Sequence, residues 1–224
     1  MSALTRRPIT PAVSARLGAR WEDDATCRTV GRDPFYVDSL EGQKAARTVC
    51  ASCPVLVECL TAAQRQEAWS QDRWGMAGGL TAPQRLGLVW EERLHGVRPD
   101  LAKARELTGW RWARTIRRLH TKGLALEEIA REIGGTTAQH VVTTRLALWW
   151  LGLEGTRVRR RAPGDQTSKW QRVAAAHQEE IERMRAMGAG RFDVSAYLGV
   201  SVNCGVLATT QVNKAAVAEL EVAA

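Results

Sequence analysis

The chain has 224 residues, 45% of them hydrophobic and 25% charged, with a formal net charge of +8. That balance belongs to a folded globular protein of one large domain or two to three small ones, and it excludes a fully disordered chain, a collagen and a coiled-coil rod. The longest apolar stretches, such as residues 147–151, fall far short of the roughly 20 residues a membrane span needs, and the arginines near the start have no apolar run behind them; the expectation is a cytoplasmic protein without a transmembrane helix or secretory signal.

Charge divides the chain. Residues 1–95 hold 12 basic and 11 acidic side chains, whereas residues 96–224 hold 20 and 13. The first part carries four of the five cysteines, and the second carries the positive field that a polyanion would feel. With two Phe, two Tyr and no sustained alternation of apolar and polar residues, strand signals are weak and a mainly α fold is expected.

After an N-terminal tail (1–16), Cys27, Cys50, Cys53 and Cys59 follow one another as C-x22-C-x2-C-x5-C. Disulfides do not persist in a reducing cytosol, so the grouping argues for metal ligation or redox chemistry. Pro54 leads into VLVECLTAAQRQEAW, which has helical composition, and Pro is favoured at a first helical position. Cys50 and Cys53 then sit on the turn entering this helix, and Cys59 leans back toward them from inside it. Four thiolates around a 4Fe–4S core leave a net negative charge, which the positive end of a helix favours. Phe35 and Tyr36, in the loop back to Cys27, offer rings to shield such a group.

Three chemistries fit these residues. A structural zinc site uses the same ligands, but its usual pattern is two C-x2-C-type pairs, and here the second gap is five residues and Cys27 stands alone. A thioredoxin-like C-x-x-C would make Cys50 and Cys53 a thiol–disulfide oxidoreductase, yet no βαβ pattern surrounds them. An iron–sulfur cluster is favoured over zinc by the spacing.

Trp21-x5-Cys27, DPFY at 33–36, CASCPVLVECLTAA at 50–63 and GMAGGLTAPQR at 75–85 together resemble the WhiB-like family of actinobacterial transcription regulators, over roughly residues 17–90. The resemblance implies one 4Fe–4S cluster per chain, sensitive to oxygen and nitric oxide, on Cys27, Cys50, Cys53 and Cys59. It also implies intramolecular disulfides among these cysteines once the cluster is lost, docking on the primary sigma factor of RNA polymerase through the glycine-rich turn, and DNA contacts through basic segments beyond it. The family turn usually reads Gly-Val/Ile-Trp-Gly-Gly. Here Ala77 takes the tryptophan's place, so the partner-facing residues are Trp74, Gly75, Gly78 and Gly79, with Trp74 three positions early.

The resemblance stops near residue 90. A boundary is expected at 95–99, which makes 17–95 the iron–sulfur domain. Asp100 is a plausible N-cap for a helix with Leu101, Ala104, Arg105 and Thr108 on one face. Residues 96–156 then resemble a helix-turn-helix: Trp112, Ile116 and Leu119 on a first helix ended by Gly123; Leu126, Ile129, Ala130 and Ile133 on a second; a turn at Gly134, Gly135, Thr136 and Thr137; and a third helix from Ala138 with Val141, Val142, Leu146 and Trp149 inward. In that geometry Thr137, Gln139, His140 and Thr144 face DNA bases. The linker 157–168 contains Arg157, Arg159, Arg160 and Arg161, an arm suited to phosphates or a minor groove. A similar grammar recurs in 177–217, within a second helical unit at 169–224. Trp110, Trp112, Trp149 and Trp150 are expected in the core, and Cys204 as a small buried hydrophobe.

The expectation is therefore a redox- or nitric-oxide-responsive transcription regulator, a small helical iron–sulfur domain followed by helix-turn-helix-like domains that bind DNA. No small-molecule substrate is expected, and no catalytic carboxylate pair, Ser/His/Asp arrangement or Walker A loop is present. The rivals are the oxidoreductase and a zinc-stapled DNA-binding or adaptor protein.

Overall fold

The computed structural model describes residues 20–31, 33–36, 39–68, 73–154 and 165–223 and is predominantly helical. It forms two compact units, one ending at Thr81 and one beginning at Ala82. Among the described residues no single helix is long and apolar enough to cross a membrane.

The first unit opens with a 3-10 turn, Trp21–Asp24, followed by the short helix α1 (Cys27–Val30), a second 3-10 turn (Asp33–Tyr36), α2 (Leu40–Ser52), α3 (Leu56–Glu67) and the strands β1 (Met76–Ala77) and β2 (Leu80–Thr81). Ser39 caps α2, its hydroxyl accepting the Gly42 N–H at 3.1 Å. A residue before proline is driven out of the helical region, and Cys53, ahead of Pro54, is accordingly extended at φ −68 ψ 125. That ends α2, and the chain bends by 118° before α3 starts at Leu56. The sequence-based placement of Cys50 is thereby corrected: it lies in the last turn of α2, while Cys53 sits on the link and Cys59 one turn inside α3. Ala46, Leu56, Leu60 and Leu80 form the interior of this unit. β1 and β2 are antiparallel, pairing Met76 with Thr81 and Ala77 with Leu80. The loop between them is Gly78 and Gly79, with φ of 55° and 72°. Positive φ at both loop residues is the two-residue hairpin turn whose twist matches the strands.

The second unit contains α4 (Ala82–His95), α5 (Leu101–Leu107), α6 (Trp110–Thr121), α7 (Leu126–Glu132), α8 (Ala138–Trp150), α9 (Lys169–Ala176), α10 (Gln178–Ala186), α11 (Arg191–Leu198) and α12 (Val202–Ala223). The expected break at 95–99 is thus not where the compact units part. α4 packs on α11, α10 and α8, and Trp90 and Leu86 join the same core as Ile181, Met184, Val194 and Tyr197. Nor do 96–156 and 169–224 stand apart, because all of 82–224 clusters as one unit. Gly87 permits this: a Cβ there would stand 2.7 Å from the Ala196 carbonyl oxygen of α11.

Two apolar clusters make the interior. One joins α4 to α9, α10, α11 and α12; the other holds Leu107, Ile116, Leu119, Leu126, Ile129, Ala147 and Leu148 from α5 to α8. α8 runs between them, which is why every residue from Val142 to Trp150 is buried. Its Arg145, with 0% exposure, pairs with Glu91 of α4, also 0% exposed, at 2.6 Å. Arg145 also donates to the Tyr197 carbonyl and lies over the Trp149 ring at 4.5 Å.

The helices expected in 100–150 form where the periodicity placed them. Asp100 caps α5 by accepting the Lys103 N–H at 2.9 Å. Gly123 and Gly134 supply positive φ of 80° and 96° at the two turns. Trp149 and Trp150 are buried as expected, and so is Cys204. Trp110 is not: it is 82% exposed, because α6 begins at that residue and its inward face starts only with Trp112 and Ala113. In the C-terminal part, Gly199 adopts the left-handed conformation, and the Val200 N–H reaches back to the Ser195 carbonyl at 3.0 Å, closing α11. α9 is an additional helix in this region, started by a reciprocal cap in which Ser168 accepts the Gln171 N–H and Gln171 accepts the Ser168 N–H.

Candidate functional site

The four clustered cysteines line one cavity of about 180 Å³ in the first unit. On the same measure a single water needs roughly 10–15 Å³, so the space takes a body far larger than a water. Around the thiols the walls are Phe35, Val49, Val55, Leu56, Met76 and Ala77, with Tyr36 and Gly78 at the edge of the same space. Phe35 is buried, whereas Tyr36 is 65% exposed and forms an outer wall. The rings expected to shield the cysteines are therefore beside them.

The thiols line the wall and do not close on a point. A tetrahedral zinc bound at about 2.3 Å brings its sulfurs within about 3.8 Å of one another. Among the described residues no three His, Cys, Asp or Glu side chains are grouped closely enough to hold a metal ion. None of the five cysteines is in a disulfide.

The hairpin completes the site. Gly78 donates its backbone N–H to the Cys59 sulfur at 3.2 Å, and the backbone of Gly79 is hydrogen-bonded to the Cys50 thiol. Two N–H groups from one tight turn thus meet two of the four sulfurs. The pattern of glycines signalled a turn; that their own amides meet the thiols was not legible from spacing. Gly78 cannot be replaced without cost, because a Cβ there would lie 2.7 Å from the Leu60 backbone nitrogen and φ is +55°. Gly78→Ala is expected to destabilise the protein by about 2–4 kcal/mol, combining left-handed strain with overpacking, as chemical denaturation would register.

Burial pushes the Cys50 thiol up to about 12, and the nearby Cys59, Cys53 and Cys27 add to the rise against the opposing Gly79 hydrogen bond. An attacking thiol in disulfide exchange needs the opposite, a depressed pKa that makes thiolate available. The Cys50 environment therefore does not suit an oxidoreductase nucleophile, while ligation by a cation could still take its proton. Arg47, one turn before Cys50 on α2, is electrostatically coupled to that thiol, and burial lowers its own pKa. Its Nε has no hydrogen-bond partner among the described residues. A cation beside the sulfurs favours their anionic form.

The other residues singled out by the sequence divide. Trp74 is 75% exposed at the entry to the hairpin, next to Gly75, whose φ is +57°. Thr137 caps α8, and its hydroxyl is 2.9 Å from His140 Nδ1. Thr137, Gln139 and His140 are exposed, but Thr144 is only 1% exposed and donates its hydroxyl to the His140 carbonyl. Thr144 is thus a core residue and is not presented to bases, because α8 is sandwiched from Val142 onward. Arg157, Arg159, Arg160 and Arg161 lie outside the described residues.

The first unit is a small helical domain built around a thiol-lined cavity and closed by a two-glycine hairpin. Residues 21–88 match the family described as Whib, Transcription factor WhiB. Two curated relatives are each 32% identical over 81 residues: Transcriptional regulator WhiB4 of Mycobacterium tuberculosis strain CDC 1551 / Oshkosh and of strain ATCC 25618 / H37Rv. The aligned part is 36% of this chain and 64% of each relative. No solved structure matches the chain. Homology to WhiB-type transcription regulators, not to enzymes, therefore covers the cysteine-bearing segment, and a further helical region follows it.

Proposed function

We propose that the protein is a redox- or nitric-oxide-responsive transcription regulator that holds one 4Fe–4S cluster on Cys27, Cys50, Cys53 and Cys59 and binds DNA through its second unit. The observation that carries this reading is the presence of all four cysteines in the lining of one apolar-walled cavity. The donor set fits the group: four soft thiols, two backbone N–H groups against sulfur, a neighbouring guanidinium and aromatic shielding. When bound, the cluster supplies a centre that reacts with oxidants and nitric oxide.

The chain's own residues supply the rest. Thr81 ends the hairpin and Ala82 opens α4 with no residue between them. The amides of Gly78 and Gly79 tie that hairpin to Cys59 and Cys50, so a change in the sulfurs loosens the segment that feeds α4. α4 in turn carries Glu91 and Trp90 into the interior of the second unit. Without the cluster, Cys27, Cys50, Cys53 and Cys59 would be thiols that an oxidant such as oxygen can pair as disulfides, accepting two electrons and two protons for each pair. Docking on the primary sigma factor falls to the hairpin and exposed Trp74, and a reducing cytoplasm suits thiols that must stay unoxidised.

Anaerobic purification followed by iron, acid-labile sulfide and zinc analysis tests the cluster. Four iron and four sulfide per chain in a brown protein that bleaches in air or nitric oxide are expected. One zinc per colourless chain would replace the sensor by a structural staple.

A further inference from the structure

A strongly positive face of the second unit lies apart from the one the helix-turn-helix pattern singles out. On α6, Arg111, Arg114, Arg117 and Arg118 are all exposed, with Lys122 just beyond its end. At 100° per residue these five lie within an arc of roughly 140°, opposite Ala113, Ile116 and Leu119, which are buried. Trp110, 82% exposed, stands at the start of the same arc. The helix has no acidic residue. None of the five cations is hydrogen-bonded or ion-paired to a carboxylate among the described residues; Arg111 lies over the Trp112 ring at 5.8 Å.

The helix's own stability does not ask for this arrangement. Cations near a helix C-terminus complement its dipole, which accounts for Arg118 and Lys122, but Arg111 in the first turn is on the wrong end. Arg111 with Arg114, Arg114 with Arg117 and Arg118, and Arg118 with Lys122 are like charges three or four residues apart, spacings that repel. A stripe of unpaired cations that weakens its own helix is relieved by a polyanion.

We propose that α6 is the principal DNA-binding surface of the second unit, its arginine stripe seated on the phosphates of double-stranded DNA and Trp110 covered at the edge of the contact. This rests on the reading of the protein as a DNA-binding regulator and moves the contact from α8 to α6. A helix of this size fits the major groove, where guanidinium groups reach phosphates and guanine edges. α8 offers a base-facing surface only over its first turn, where Thr137 and His140 already bond each other.

Fluorescence anisotropy of the anaerobically purified full chain on a duplex DNA of mixed sequence tests this. Three variants are compared with it: Arg114→Gln/Arg117→Gln/Arg118→Gln, the same three sites changed to lysine, and Gln139→Ala/His140→Ala. All the substituted side chains are exposed, and circular dichroism checks that the helices remain. Three lost phosphate contacts lower the log–log salt slope by about 2.7, so the affinity lost between about 50 and 200 mM salt shrinks by about 40-fold in the glutamine variant. The lysine variant should retain the slope. A glutamine variant that keeps the wild-type affinity and slope overturns the assignment to α6, most plainly if Gln139→Ala/His140→Ala abolishes binding, and the DNA-binding reading then survives without it. Wild-type protein that binds no duplex removes both. Anionic phospholipid vesicles serve as the second probe: if the glutamine variant loses vesicle binding while its duplex binding is unchanged, the stripe is a lipid surface and the proposal fails.

Discussion

Glu91→Ala is expected to destabilise the second unit by about 3–5 kcal/mol. Removing the carboxylate takes away the counter-charge 2.6 Å from the Arg145 guanidinium, whose side chain is 0% exposed. The backbone carbonyls of Tyr197 and Ala196 still accept from it, but they carry no net charge. The pair need not be a net source of stability, since two buried ions pay a large desolvation penalty. Replacing both by apolar residues, Glu91→Leu with Arg145→Met, should therefore recover most of the loss. Urea unfolding followed by tryptophan fluorescence is a direct readout, because Trp149 lies against Arg145. A single substitution that costs less than about 1 kcal/mol would show that water reaches the pair.

Cys59→Ala is expected to abolish the iron and sulfide retained through anaerobic purification. It removes one of the four proposed ligands and also the sulfur that accepts the Gly78 N–H. Cys204→Ala should leave both contents unchanged, since Cys204 is buried among Val173, Ile181 and Ala208 in the other unit. Equal iron in the two variants would break the link between the cavity and the cluster. The thiol chemistry also predicts pH dependence. With its pKa pushed up to about 12, the Cys50 thiol is protonated in the metal-free protein at every physiological pH. Loading must release that proton, so cluster assembly strengthens as pH rises.

Much of the cysteine site is legible without coordinates. Four cysteines in 33 residues, followed by a pair of adjacent glycines, limit the chemistry to a few choices. The periodicity of 100–150 likewise places α5 to α8, since Asp100, Gly123 and Gly134 mark their ends by local rules. Ser168 and Gln171 carried an equally local signal for α9 that apolar spacing alone did not pick out.

What pattern reading missed has a common origin. Thr144 lies at a position that a two-sided surface helix would expose, but α8 has an apolar cluster on each side and no free face beyond its first turn. α4 reads as the tail of the cysteine domain by homology, which runs to residue 88, yet its apolar face packs on α11 across more than 100 residues of sequence. Trp110 has the composition of a core residue and lacks only a neighbour to cover it.

By itself the sequence determined the cysteine spacing, the hairpin glycines, the helical content and the positive charge of the second part, because each depends on residue type and short-range spacing. The tertiary structure alone decided which helix face each charge occupies and where one compact unit ends and the next begins. Those outcomes depend on which apolar surfaces meet across long sequence separations. Arg145 and Arg114 make the difference concrete: the same side chain, about thirty residues apart, is buried against a carboxylate in one case and exposed to solvent in the other.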